Sequence, residues 1–327
     1  MNPLDQLSGL LLVSAIAVYA IAFVAFALDL ARRSAEAQAV PLRREAPAEQ
    51  VESIGGTAVL VAAPPAPPVG ASRRPAARTG LALMLIAAAL HLGADVLRGL
   101  AAGRVPWANM YEFSMTGTLV MVTVFLVVLT RVDLRFLGAV ISGFVVLLLG
   151  IATVGFRVDV APLQPALQSY WLVIHVLVAI LGTGFFTLAG AISAVQLVQV
   201  RRERRLAAGG ADRVRLLATV PAGDRLENMA YRISVVGFIL WTFTLIAGAI
   251  WANHAWGRYW GWDTKEVWTF IIWVVYAGYL HARATLGWRG VGSAWLNLIG
   301  YASVLFNFGV VNVFFKGLHT YSGLPTS

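Results

Sequence analysis

The sequence predicts an all-α, polytopic integral membrane protein with about eight transmembrane helices. Of its 327 residues, 59% are hydrophobic and only 13% are charged, and the mean hydropathy is +0.74. Apolar runs long enough to cross a hydrocarbon core, which takes roughly 20 residues, also recur along the chain. A water-soluble domain has too little interior to bury this much apolar surface, so lipid is predicted to be the solvent for most of the chain.

Eight such runs follow one another along the sequence. They lie at about 8–30, 80–100, 113–130, 136–155, 171–199, 233–252, 268–286 and 294–315. The first run has no basic segment before it and no small-residue cleavage site after it, so we expect residues 1–33 to form a retained signal-anchor helix. Residues 34–79 are rich in Ala, Pro and Arg, which predicts a disordered cytoplasmic linker. Residues 80–321 then form the multi-helix domain.

The distribution of positive charge predicts the orientation in the membrane. If the N-terminus is outside, the inner segments are 31–79, 131–135, 200–232 and 281–292, and they hold 19 of the 25 Lys and Arg residues. The positive-inside rule then favours both termini outside. The net charge of +9 is thereby explained by topology, which removes the reason to expect a nucleic-acid partner.

One segment, residues 251–268 with the sequence WANHAWGRYWGWDTKEVW, combines five tryptophans with several charged residues. The predicted topology places it outside, between the sixth and seventh spans. Projected as a helix, Trp256, Tyr259, Trp260 and Asp263 share one face, with glycines beside them. This predicts a flat aromatic surface for a large planar ligand, with Arg258 and Lys265 available for its carboxylates. Tryptophans also collect at membrane interfaces without any binding role, so that alternative stays open.

Two histidines are predicted at the same membrane face as this segment. His175 lies at the outer start of the fifth span, and His319 follows the eighth span. Two neutral imidazoles flanking an aromatic surface are suited to axial coordination of haem iron. The alternative is a pair of ordinary interfacial histidines.

Two further histidines are predicted at membrane depth. His281 lies about 20 Å along the seventh helix from Trp268, at 1.5 Å per residue, and His91 lies mid-span with Asp95 four residues later. Intramembrane polar groups usually mark function, although hydrogen bonds between packed helices are the competing explanation.

Other chemistry is limited by what the sequence lacks. Without cysteine the chain itself has no disulfide, thiolate or thiol redox chemistry. We find no phosphate-binding loop, dinucleotide fingerprint or nucleophilic serine motif. The segment GRVPWANMYEF at 103–113 predicts a short polar turn with Glu112 in the first turn of the third helix, where a carboxylate is favoured. It acts as a cap and interface anchor, or as a brace or gate for the aromatic surface.

The sequence WGRYWGWDTKEVW resembles the tryptophan-rich signature, WGxxWxWDxxE, of haem-handling proteins in cytochrome c biogenesis. Together with the eight-span layout and the GRVPWANMYEF turn, it is most similar to the CcsA (ResC) branch of System II. The resemblance covers about residues 80–321.

This resemblance implies a subunit of a holocytochrome c synthase in the cell membrane, acting with a ResB-type partner. It implies haem b as the transported substrate and an apocytochrome c with a Cys-x-x-Cys-His motif as acceptor. His175 and His319 would be axial ligands at the outer face and His281 an intramembrane ligand, and His91 is a further haem-binding candidate, with the other intramembrane ligand expected from the partner. The other residues expected to contact haem are Trp256, Gly257, Tyr259, Trp260, Gly261, Trp262, Asp263, Lys265 and Glu266.

Three alternatives remain open from the residues alone. A b-type electron-transfer subunit also pairs histidines around haem, but it would hold haem permanently and be dispensable for cytochrome c maturation. A transporter of another planar metabolite would favour broken helices and inverted repeats, and neither is visible here. A structural assembly scaffold would tolerate joint replacement of Trp260, Trp262 and Asp263.

Overall fold

The protein is a bundle of long helices. The computed structural model describes residues 2–39, 75–163, 167–285, 287–315 and 317–319, and no strand is found among them. The long helices are α1 (Pro3–Ala39), α2 (Pro75–Ala102), α3 (Met110–Leu129), α4 (Gly138–Gly155), α5 (Tyr170–Ala207), α6 (Gly223–Trp256), α7 (Thr264–Thr285) and α8 (Val291–Leu305). A π-helical segment, Phe306–Val311, and a last helical turn, Asn312–Phe314, continue α8.

These eight helices coincide with the eight predicted apolar runs, which confirms the all-α, multi-span fold class. Seven of them are long and apolar enough to cross a membrane by length and composition, within the described residues. Helix α7 is the exception. Its sequence contains charged residues at both ends and several Trp and Tyr residues between them, which lower its hydropathy below that of its neighbours.

The predicted linker at 34–79 is helical at both of its ends. Helix α1 continues to Ala39 and α2 begins at Pro75. Proline suits the first position of a helix because its missing N–H has no intrahelical acceptor there. Residues 40–74, which hold most of that predicted linker, lie outside the described residues.

Two larger apolar cores hold the helices together, and a third, smaller cluster contains Leu167, Leu172 and Trp251. One lies mainly among α1 to α4 and includes Tyr19 and Met115. The other lies among α5 to α8, where Phe186 stacks on Tyr276 with ring centroids 3.7 Å apart. Small residues let these aromatic rings approach neighbouring backbones: a Cβ on Gly300 would lie 2.9 Å from the Tyr276 ring. The cores fix the helices so that four connecting or terminal segments meet at one end of the bundle.

Candidate functional site

A cavity of about 200 Å³ opens at that end of the bundle. Its walls come from the turn before α3, from α5, α6 and the loop before α7, and from the π-helical segment and last residues of the described chain. On α5 it reaches from Leu172 to Thr183, about 16 Å along the helix at 1.5 Å per residue. Most lining side chains are apolar or aromatic, which suits a largely apolar ligand with a few polar attachment points.

The structure brings His175 and His319 to this same cavity. Ring centroids lie 5.8 Å apart for His175 and Trp251 and 5.4 Å apart for His319 and Trp251. Both imidazoles therefore contact one indole, which is itself almost fully buried. Trp251 belongs to the tryptophan-rich segment, but no local sequence pattern singles it out as the residue that contacts both histidines.

The orientation of His175 is fixed by helix α6. Its Nδ1 lies 3.0 Å from the Thr244 carbonyl oxygen, and because a carbonyl only accepts, Nδ1 must carry the proton. Its Nε2 makes no hydrogen bond to any described residue. The ring also passes close to the backbone of α6, where a Cβ on Gly248 would lie 2.7 Å from the His175 Cε1. Only glycine leaves room for the imidazole at this point.

The orientation of His319 is fixed by Asp263. The His319 Nδ1 donates to Asp263 Oδ2 at 2.9 Å, and the Leu318 N–H donates to Oδ1 of the same carboxylate at 3.1 Å. Burial raises the pKa of Asp263, but the hydrogen bond and electrostatic interaction with His319 outweigh it, and the net pKa lies below its ordinary value. Asp263 is therefore ionised at neutral pH, and it leaves the Nε2 of His319 available.

The tryptophan-rich segment is not one helix, so the predicted helical face of Trp256, Tyr259, Trp260 and Asp263 is wrong. Helix α6 ends at Trp256, and Gly257 follows in the left-handed conformation with φ 70°. Glycine adopts this conformation without steric cost and commonly ends a helix in this way. A loop then runs to Asp263, and α7 begins at Thr264.

One half of a capping box starts α7 and defines the role of Glu266. The Glu266 carboxylate accepts from the N–H groups of Asp263 (3.2 Å) and Gly261 (2.8 Å). It also accepts from Arg258 at 3.0 Å, so part of the Arg258 guanidinium is already engaged, and its availability for a ligand stays a prediction. The D-x-x-E spacing at 263–266 was the sequence signal for this arrangement. A Cβ on Gly261 would collide with the Arg258 guanidinium, so a larger residue there would displace this arginine from Glu266.

The aromatic residues at 256–262 have different surroundings. Tyr259 and Trp260 line the cavity, whereas Trp256 packs against His319 with centroids 4.8 Å apart. Trp262 is 77% exposed and has φ 59°, the one positive φ of a non-glycine residue in the described chain. Such a conformation is strained for a bulky residue and is typical of functional sites.

Lys265 is the basic side chain that lines the cavity among the described residues. Its Nζ donates to the Asn312 side chain and, at 3.3 Å, to the carbonyl oxygen of Asn307 in the π-helical segment. A lysine has three donors, so one remains for a ligand. π-Helical segments are frequent at functional sites, and this one supplies a contact that the sequence did not indicate.

His281 and His91 do not reach the cavity. His281 is exposed on α7, four residues before that helix ends at Thr285. His91 is fully buried against α1, with its Nδ1 3.5 Å from the Tyr19 hydroxyl and its Nε2 without a partner among the described residues. Asp95 instead accepts from Thr116 at 3.1 Å. The structure thus gathers the two outer histidines and separates the two intramembrane ones.

Comparison with known proteins places this architecture in a family. A family model described as "Cytochrome C assembly protein" matches residues 107–319, which include the whole tryptophan-rich segment and both cavity histidines. The solved structure of "Cytochrome c Heme Lyase CcmF" is similar in fold, with a TM-score of 0.62 at 16% identity. That match covers 99% of this chain and 50% of the CcmF chain, so this chain spans half the length of that protein.

Curated relatives are similar over most of their length. "Cytochrome c biogenesis protein CcsA" of Trieres chinensis is 34% identical over 252 residues, covering 69% of this chain and 81% of the relative. The protein of the same name from Synechococcus elongatus is 33% identical over 281 residues, covering 74% and 86% respectively. The chain therefore belongs to the cytochrome c assembly protein family, as a CcsA-type member.

Proposed function

We propose that this chain moves haem to the outer membrane face and presents it there, in the cavity, for attachment to apocytochrome c. The observation that carries the proposal is the hydrogen-bonding arrangement that His175 and His319 have in common. Each uses Nδ1 to hydrogen-bond a fixed acceptor, and each keeps Nε2 for another partner. Histidines that bind metals are held in this way, because the second hydrogen bond fixes the tautomer and the ring orientation.

The cavity chemistry suits haem over a bare metal ion. No group of three or more His, Cys, Asp or Glu side chains in the described chain could hold a metal ion by itself. Two histidines in a mainly apolar, aromatic cavity match a metal that brings its own equatorial ligands. Tyr259 and Trp260 would then contact the porphyrin plane, and Lys265 would bind a propionate.

The covalent step is expected to use thiols of the acceptor. This chain has no cysteine, so the two thiols of a Cys-x-x-Cys-His motif would add across the two haem vinyl groups, each S–H supplying the sulfur and the hydrogen. The histidine of that motif would displace His175 or His319 from the iron. The contribution of the chain is then positioning, which converts an encounter between two molecules into a local reaction.

Delivery of haem to the cavity is proposed to involve a ResB-type partner in the cell membrane. The exposure of His281 on α7 supports a contact outside this chain, since an imidazole facing lipid would be costly without a partner. The Nε2 of His91, which has no hydrogen-bond partner among the described residues, supports His91 as the second candidate for an intramembrane contact with haem. Orientation with the cavity end outside follows from the distribution of Lys and Arg.

Replacing both cavity histidines tests the proposal. We expect H175A/H319A to lose haem from the purified complex and to abolish covalent cytochrome c formation in cells. His254→Ala is the matched control, because His254 is an exposed histidine in the last turn of α6 and does not line the cavity. Unchanged haem content and cytochrome c yield in the double variant would refute the ligand assignment. Haem that stays bound permanently, with normal cytochrome c maturation in cells lacking the chain, would favour an electron-transfer subunit.

A further inference from the structure

A buried cluster of four charged side chains lies at the cavity end of the bundle. Arg98 of α2 donates to Asp5 of α1 at 2.6 Å and to Glu112 of α3 at 3.1 Å. Arg104, in the turn between α2 and α3, donates to Glu112 at 2.7 Å. The side chains of Arg98 and Glu112 are fully buried, and Asp5 and Arg104 nearly so. Two positive and two negative groups thus balance within one cluster.

Glu112 connects this cluster directly to a cavity wall. Its Oε2 accepts from the N–H of Ala108 at 3.0 Å, and its own N–H donates to the Asn109 side chain at 2.9 Å. Ala108 and Asn109 both line the cavity. The conformation of this wall therefore depends on a carboxylate that is itself held by two arginines.

The arginines also hold the connection between α4 and α5. Arg98 donates to the carbonyl oxygen of Val158 at 2.9 Å, and Arg104 donates to that of Ala161 at 3.3 Å. One charge cluster thus contacts both this connection and the turn before α3, which supplies the cavity-lining residues Ala108 and Asn109.

Such a cluster is poorly explained as a stabilising device. Burying four charges costs several kcal/mol of desolvation for each ion, and apolar residues of similar size often stabilise a fold equally well or better. What apolar residues cannot do is fix the backbone of two loops through directed hydrogen bonds. Asp5, moreover, lies outside the residues 107–319 that match the family model, so α1 extends the site beyond the matched region.

We infer that Glu112 is a positioning residue for the ligand of the cavity, held by Arg98 and Arg104, and that α1 contributes to the site through Asp5. This inference rests on the proposed function of the cavity. Glu112→Gln keeps the length of the side chain but removes the carboxylate that pairs with Arg104 and leaves Arg98 paired with Asp5 alone. The cavity wall formed by Ala108 and Asn109 is then no longer fixed, and haem is held in a less defined position.

The test measures haem retention in the full-length chain, purified with its partner. Transfer of haem to excess apomyoglobin is followed by absorbance, and thermal unfolding is recorded on the same samples. We expect E112Q to release haem roughly tenfold faster, the lower end of the loss in affinity that follows removal of a supporting group at a metal site, and D5N to show a smaller increase. Glu227→Gln is the control, because Glu227 is also buried, also pairs with an arginine and accepts from the backbone N–H of Gly290, but does not line the cavity.

A second variant separates positioning from folding. In R104Q/E112Q, the remaining Arg98 and Asp5 balance each other, so we expect thermal stability to recover while haem release stays fast. Recovery of both would overturn the inference, as would equal release by wild type and E112Q. If E112Q does not fold, D5N compared with E227Q decides the question in the same way. Absence of haem from the wild-type chain would overturn the proposed function itself, and this inference with it.

Discussion

Replacing Asp263 by Asn should loosen haem without disturbing the start of α7. The carboxylate accepts from His319 with one oxygen and from Leu318 with the other. A carboxamide replaces one of these two oxygens by an NH2 group, which is a donor, so one of the two donors loses the atom that accepts from it. Asn is as good as Asp at the N-terminal cap of a helix, so α7 should begin at the same residue.

The expected size follows from the role of Asp263 as the partner of a metal-binding histidine. Loss of such a partner weakens metal affinity or activity by roughly 10- to 100-fold, which corresponds to about 1.4–2.8 kcal/mol at about 1.4 kcal/mol per tenfold change. The rate of haem transfer to apomyoglobin should rise accordingly in D263N. Asp212→Asn is a matched control, since Asp212 pairs with Arg202 in the connection between α5 and α6. Equal transfer rates for D263N and wild type would refute the role assigned to Asp263.

Three further outcomes are expected. In Gly248→Ala the added Cβ should displace the His175 ring, so we expect both the haem absorption spectrum and the cytochrome c yield to change. An unaltered spectrum would contradict the close contact between Gly248 and His175. Lys265→Met should weaken binding of haem by about tenfold or more, as expected for a hydrogen bond to a charged group worth about 1.5–3 kcal/mol, but leave binding of haem dimethyl ester unchanged. The pKa of Asp263 in the folded chain is lowered from 3.8. Its contribution to stability should therefore be complete above pH 3.8 and be lost as the pH falls through the lower pKa of the folded state. The thermal unfolding temperature of D263N should not show this loss with falling pH.

The helices and the meeting of the two outer histidines could be predicted because they depend on local patterns. Apolar run length gives the spans, and the alternation of spans places His175 and His319 at one end. Signals for the loop at 257–263 were also present, since Gly257 is a helix-ending residue and Asp263 and Glu266 have capping-box spacing. The prediction of one continuous helix gave those signals too little weight.

Other features depend on contacts between distant parts of the chain, which one sequence does not reveal. Asp5 and Arg98 are 93 residues apart, and Asp263 and His319 are 56 apart. Neither pairing has a local sequence pattern. The exposure of His281 likewise depends on which face of α7 packs against the other helices, and charge at the ends of α7 does not determine that.

The most direct test of the account is electron paramagnetic resonance of the ferric haem in the purified complex. The wild-type chain should give a low-spin signal of two histidine ligands. H175G and H319G should each convert it to a high-spin signal, and added imidazole should restore the low-spin signal in both, because Thr244 and Asp263 remain to hold an imidazole in place. A low-spin signal unchanged in H175G/H319G without imidazole would contradict the assignment of these two residues as the ligands of the iron.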